Sequence, residues 1–210
     1  MPFVADAAVF WEFAMNETLP LATIQNAVLE FLRGREDAVL FGAQAVNAYV
    51  RERRTTEDVD VLSTRAVAFA EELRAYLSQR FHIAVRVRNI REGLGYRVFQ
   101  LRKEGNRHLV DVRPVPALPP VQTVADVQVL LPSELIASKV ISHYQRRGKP
   151  KSWTDRRDLA VLFEAFPELK HDPGPVTDCL LNAQAEEPVL ALWRELVAQE
   201  ILPESEDDDF

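Results

Sequence analysis

Apolar residues recur along this chain with two periods, and the switch between them organises it. From Leu21 to Arg33 they fall at Leu21, Ile24, Val28 and Leu32, with Leu29 and Phe31 beside them, which predicts an amphipathic helix that Gly34 would end. Ala38-Val39-Leu40-Phe41 is a short apolar run of the kind a buried strand uses. It leads into Gly42-Ala43, and Gln44 to Arg51 then reads as a helix. Asp58-Val59-Asp60-Val61-Leu62 alternates polar and apolar, the period of a half-buried strand. Ala66 to Arg80 is helical again, and β-rich segments follow at Ile83–Arg88, Tyr96–Leu101 and His108–Val112, with Gly93, Gly95 and Glu104-Gly105-Asn106 supplying the turns.

Pro114, Pro116, Pro119 and Pro120 lie within seven residues, which excludes a central strand or a helix interior there and predicts a connection. Beyond it the pattern is mainly helical: Pro132–Arg147, Trp153–Phe166, a short piece from Val176, and Pro188–Ile201. The expected organisation is an α/β domain over residues 1–125 with N-terminal helices, a helical domain over 126–202, and an acidic tail over 203–210.

Composition narrows the class. The 210 residues are 47% hydrophobic and 27% charged, a globular balance, and no apolar run reaches the roughly 18 residues of a membrane helix. The N-terminus lacks a signal-peptide pattern and there is one cysteine, Cys179, so the chain reads as cytoplasmic, without disulfides or a Cys-rich zinc site. The net charge of −7 is unevenly spread. Residues 51–113 carry 14 basic and 9 acidic side chains, residues 139–158 carry 7 and 2, and residues 159–210 carry 2 and 13. Non-specific duplex binding is disfavoured, while an anionic ligand on a basic segment fits.

The chemistry concentrates between Phe41 and Leu62. On a strand, Asp58 and Asp60 point to one face, with Val59 and Val61 on the other. Two convergent carboxylates call for a cation between them, and Mg²⁺ takes one or two carboxylates together with substrate phosphates. The turn at Gly42-Ala43-Gln44 would offer backbone N–H groups at a helix start, a cradle for a phosphate. Asp111, in His-Leu-Val-Asp-Val-Arg, is a third carboxylate that completes a triad if its strand neighbours that of Asp60. Such a triad serves in-line displacement at phosphorus, with Asp111 activating an acceptor hydroxyl. Elsewhere, His82, His108, His143 and His171 lack metal-ligand spacing, Gly93-Leu94-Gly95 reads as a hairpin turn, and Trp11, Trp153 and Trp193 are too dispersed to suggest a base-stacking platform.

The string Gly-x-x-Ala…Tyr…Arg-x-Thr-x-Asp-x-Asp from Gly42 to Asp60 resembles the nucleotidyltransferase superfamily of DNA polymerase beta. It is most similar to the AbiEii-type nucleotidyltransferases, toxin halves of toxin–antitoxin pairs. Leu131-Pro-Ser-Glu-Leu-Ile-Ala-Ser-Lys139, Arg146-Arg147 and Asp155-Arg-Arg-Asp158-Leu159 match that family's second half, and the resemblance spans residues 20–165. It implies a nucleotidyltransferase fold, a mixed β-sheet flanked by helices, followed by a C-terminal helical region. It implies metal binding at Asp58, Asp60 and Asp111, with Asp58, Asp60, Asp111, Lys139 and Asp158 catalytic. Nucleotide would be held by Gly42, Ala43, Gln44, Thr56, Lys139 and Asp155. The activity implied is Mg²⁺-dependent transfer of NMP from an NTP to an RNA (tRNA-like) or protein hydroxyl, with a cognate antitoxin as partner. The alternative is an inactive member of the fold that binds nucleotides or partners. The family's turn is usually Gly-Gly, or Gly-Ser more widely; here it is Gly42-Ala43.

Overall fold

The computed structural model describes residues 19–90 and 93–200. The N-terminal helices expected ahead of residue 19, Trp11 and the 203–210 tail lie outside the described residues. In chain order the elements are α1 (Leu21–Leu32), β1 (Ala38–Phe41), α2 (Gly42–Tyr49), β2 (Val59–Ser63), α3 (Ala66–Phe81), β3 (Val85–Ile90), β4 (Gly95–Gln100), β5 (Arg107–Pro114), β6 (Val121–Val124), β7 (Val127–Leu130), α4 (Pro132–Gln145), α5 (Pro150–Ala165), a 3₁₀ turn (Pro167–Leu169), α6 (Pro175–Asn182) and α7 (Glu187–Ala198). The strands form one mixed seven-stranded sheet in the order β3-β4-β5-β2-β1-β7-β6. The expected α/β architecture is therefore present.

The chain divides into two compact units: residues 1–40, 56–118 and 125–128, and residues 41–55, 119–124 and 129–210. In the first, β2 runs parallel to β5 while β4 pairs antiparallel with both β3 and β5. Val59, Val61, Val98, Val110 and Val112 are buried, and α3 packs on the strands with Phe69, Leu73 and Leu77 inward. Alternation sends the polar residues of the same strands to the opposite face. The second unit packs α5, α6 and α7 on α4 around Leu135, Ile136, Val140, Leu162, Leu180 and Trp193. Pro132 occupies the first turn of α4, where its missing N–H costs no hydrogen bond.

One pair of elements departs from expectation. The chain beyond the proline-rich connection, read as mainly helical, first forms the β6–β7 hairpin. Its two-residue turn is Ala125-Asp126, with φ of 48° and 65°. A primed turn with positive φ at both central positions is what such hairpins need, and its usual signature is Asn-Gly or Asp-Gly. Ala-Asp carries none of that signal.

Candidate active site

In the first unit, Asp58 immediately precedes β2 and Asp60 lies within it, and the parallel register sets Asp60 opposite Asp111 of β5. Arg97 of β4 is the antiparallel partner of Asp111. It grips that carboxylate in a fork, with Nε 2.7 Å from Oδ1 and Nη2 3.0 Å from Oδ2. Arg113 Nη2 stands 3.9 Å from Asp60 Oδ1, an ion pair beyond hydrogen-bond distance.

A histidine that its sequence position did not single out joins the group. His108 and Asp111 are three residues apart, which on a regular strand puts them on opposite faces. The register changes between Val98 and Phe99: Val98 pairs with Val110, but Phe99 pairs with His108. Leu109 is thus an extra residue in β5, a bulge that brings His108 round to the face of Asp111. The imidazole bridges two carboxylates, Nδ1 lying 3.1 Å from Asp58 Oδ2 and Nε2 3.0 Å from Asp111 Oδ1. Burial works against its charged form. The hydrogen bonds and charges of Asp111 and Asp58 outweigh that and raise the pKa from 6.5 to about 9. Burial likewise opposes the ionised Asp111, and His108 and Arg97 overcome it, holding the carboxyl well below the usual range.

The ligand atoms of Asp58, His108 and Asp111 lie within 4.8 Å of one another, close enough to share a metal ion. The donor set is two carboxylates and an imidazole, with Asp60 in register beside Asp111. Carboxylate oxygens suit a hard divalent cation, and the proton on His108 and the charge of Arg97 now balance them as such an ion would. The residues fit a metal. A carboxylate as strongly depressed as Asp111, with three donors on its oxygens, is better suited to holding a cation than to taking a proton.

The second unit holds the other predicted residues except Thr56. Gly42, between β1 and the helix it opens, adopts φ +70°, a conformation open to glycine, whereas Ala43 lies outside the left-handed region. The departure from Gly-Gly therefore costs no backbone strain. Gln44 lies in the first turn of α2, where backbone N–H groups have no intrahelical acceptor. Farther along, Asn47 clamps the following loop: Nδ2 donates to the Arg54 carbonyl at 2.8 Å, and Arg54 N donates to Oδ1 at 3.1 Å.

Lys139, Asp155 and Asp158 come together across α4 and α5 in a buried ion network. Lys139 Nζ lies 2.6 Å from Asp158 Oδ2 and 3.5 Å from Asp155 Oδ1. Arg54 takes Asp158 in a second fork at 2.7 and 3.0 Å, and Arg146 Nη1 reaches Asp155 Oδ2 at 2.9 Å. Burial opposes the ionised Asp158, and Arg54 and Lys139 more than offset it, so its pKa is lowered. Lys139 is only 7% exposed, so its ammonium serves these carboxylates, while Arg146 carries the network's charge outward. Thr56, in the first unit, is buried, and Gln25 Nε2 donates to its carbonyl at 2.8 Å.

No family model matches the sequence, and no curated protein does. Solved structures do match. The Megavirus polyadenylate synthase superposes with a TM-score of 0.59 at 12% identity over 82% of this chain, which spans 40% of the viral protein. JHP933 from Helicobacter pylori gives 0.52 at 15% identity over 89% of each chain. A second H. pylori protein, described as a candidate nucleotidyltransferase, gives 0.52 at 14% identity over 84% of this chain and 90% of its own. The likeness is one of fold: the chain has the α/β fold of nucleotidyltransferases. Among the described residues no helix is long and apolar enough to cross a membrane.

Proposed function

We propose that this protein is a nucleotidyltransferase that moves NMP from an NTP to a hydroxyl of an RNA, tRNA-like in its end, or of a protein, and releases pyrophosphate. The observation that carries the reading is the register Asp60–Asp111 with Asp58 alongside, which gathers three carboxylates on one sheet face of this fold. Asp58, Asp60 and Asp111 would hold Mg²⁺, which supplies charge neutralisation for phosphoryl oxygens during in-line displacement. Arg97 keeps Asp111 ionised and fixes its orientation. Protonated His108 offsets the repulsion between Asp58 and Asp111, a role that a bound cation would take over. The N–H groups of Gly42, Ala43 and Gln44 would cradle phosphate. Lys139, Asp155 and Asp158 would act as one network at the nucleotide, with Lys139 positioning the carboxylates and Arg146 turned to anionic oxygen. Thr56, held by Gln25, would fix the strand that enters the aspartate pair.

The test is a labelling assay with Mg²⁺, each α-labelled NTP in turn, and total RNA or the protein alone. Label should pass to RNA or to protein with the wild type and not with Asp60→Asn. Binding of NTP without any transfer would replace the enzyme with a nucleotide-binding module, and absence of both would overturn the reading. The AbiEii-type resemblance adds a toxin role held in check by an antitoxin. Induced expression should then arrest growth with the wild type but not with Asp60→Asn.

A further inference from the structure

The basic segment at residues 139–158 separates in space by sign. Its two acids, Asp155 and Asp158, are buried on Lys139, whereas Arg147, Lys149, Lys151, Arg156 and Arg157 are exposed and Arg146 is half exposed. In the midst of these cations Trp153 is 69% exposed. Helical spacing puts it one turn from Lys149, the N-cap of α5, and from Arg156 and Arg157. At the end of α4 the Cζ of Arg147 lies over the ring of Tyr144, 3.6 Å from its centroid.

The same face continues down α5. Trp153, Arg157, Val161 and Ala165 recur every four residues, a stripe about 18 Å long at 1.5 Å per residue. Arg157 reaches Glu52 at 3.7 Å. Val161, Glu164 and Ala165 then line a cavity of about 480 Å³ with Tyr49, Arg51 and Glu52. That volume is in the range of small-ligand pockets, roughly 300–1,000 Å³.

We infer that this face of α5 binds single-stranded RNA, with Trp153 as a stacking platform for a base and the cations around it tracking the phosphates. The chemistry of the patch selects this occupant. The core of a protein–protein interface is depleted of charged residues, lysine among them, whereas three of the four positions one turn from this indole are cations (Lys149, Arg156 and Arg157) and the fourth is Pro150. An exposed aromatic ring within a positively charged track is how single strands are held without sequence preference, because every base has a π-face. A duplex keeps its bases stacked and offers the indole nothing. Along the stripe there is room for a few nucleotides, and the cavity at its far end has the size to take one. The inference rests on the nucleotidyl-transfer reading for its meaning, since such a strand would be the acceptor.

The test is fluorescence anisotropy of a 12-nucleotide, mixed-sequence single-stranded RNA with the full chain, without NTP. Trp153→Ala should weaken binding roughly five- to a hundredfold and Trp153→Phe far less, as stacking predicts. Lys151→Gln/Arg157→Gln should flatten the salt dependence, by up to roughly 0.7 in log–log slope for each phosphate no longer neutralised. Equal affinity of wild type and Trp153→Ala, equal affinity for a 12-base-pair RNA duplex, or equal competition by a 12-residue polyglutamate would each overturn the proposal. If transfer is absent from the wild type but Trp153-dependent binding stands, the enzymatic reading fails and the RNA surface survives. If transfer to RNA occurs with unchanged KM for RNA in Trp153→Ala, the surface fails and the enzyme survives.

Discussion

His108 sits between Asp58 and Asp111 as a proton-borne cation, and its titration reports on the pair. Its pKa in the folded, metal-free protein is about 9, above its ordinary 6.5. The stability it adds is therefore fully present below about pH 6.5 and is lost as pH rises through about 9. Asp111, depressed, works in the other direction: its contribution is present above the ordinary carboxylate range and is lost as pH falls through its folded value. An NMR titration of the His108 ring in the metal-free protein should show a midpoint near 9, and Asp111→Asn should bring it down towards 6.5. A midpoint that ignores that substitution would mean the imidazole is not held by Asp111. Lys139 gives a second residue-level prediction. Lys139→Met removes a buried partner of Asp158 and leaves the carboxylate to Arg54 alone among the close contacts. Breaking a buried pair in this way costs about 3–5 kcal/mol, which a lowered urea midpoint would show. Both aspartates and Lys139 were legible in the sequence through the family-like spacing. Arg54 as the partner of Asp158 was not, because a contact 104 residues distant leaves no local trace.

At the scale of elements, the alternating patterns of β2 and β5 announced the strands and the shared face of Asp58 and Asp60. The bulge at Leu109 was hidden, since alternation assumes a regular register and an extra residue inverts it. Spacing alone therefore assigns His108 no role, and only the pairing of Phe99 with His108 gives it one. The β6–β7 hairpin was hidden for a similar reason. Its left-handed turn is made by Ala125 and Asp126; glycine avoids the steric cost of a side chain there, and asparagine bears it better than alanine. Ala125→Asn/Asp126→Gly should accordingly raise stability by about 1 kcal/mol, visible as a higher Tm, with the backbone bond from Gly34 N to Asp126 O retained. The reverse change at the β1–α2 turn should do harm. Gly42→Ala forces a side chain to φ +70° and should cost roughly 1–3 kcal/mol, while Ala43→Gly lacks that penalty.

Over the whole molecule, charge is distributed by segment, and most of the acids that lower the total lie C-terminal in sequence to the cations that could meet RNA. Residues 159–210 hold 13 acidic side chains, five of them between Glu204 and Asp209, against the exposed cations of residues 146–157. A chain of net charge −7 repels an RNA at long range even where a local surface attracts it. Replacing Glu204, Glu206, Asp207, Asp208 and Asp209 by their amides would bring the formal charge to −2 without touching a described residue. If the surface around Trp153 binds single-stranded RNA, this change should speed association at low ionic strength. The gain should fade as salt shortens the Debye length to about 8 Å at 0.15 M, because only charges within that distance of the strand still act. Dissociation, governed by stacking and close phosphate contacts, should change little. Stopped-flow association measured at about 20 and about 200 mM salt, on either side of that screening length, separates the two effects. An increase in on-rate that persists at high salt would mean the acids compete for the cations directly, and no increase at low salt would mean long-range repulsion does not limit access to RNA.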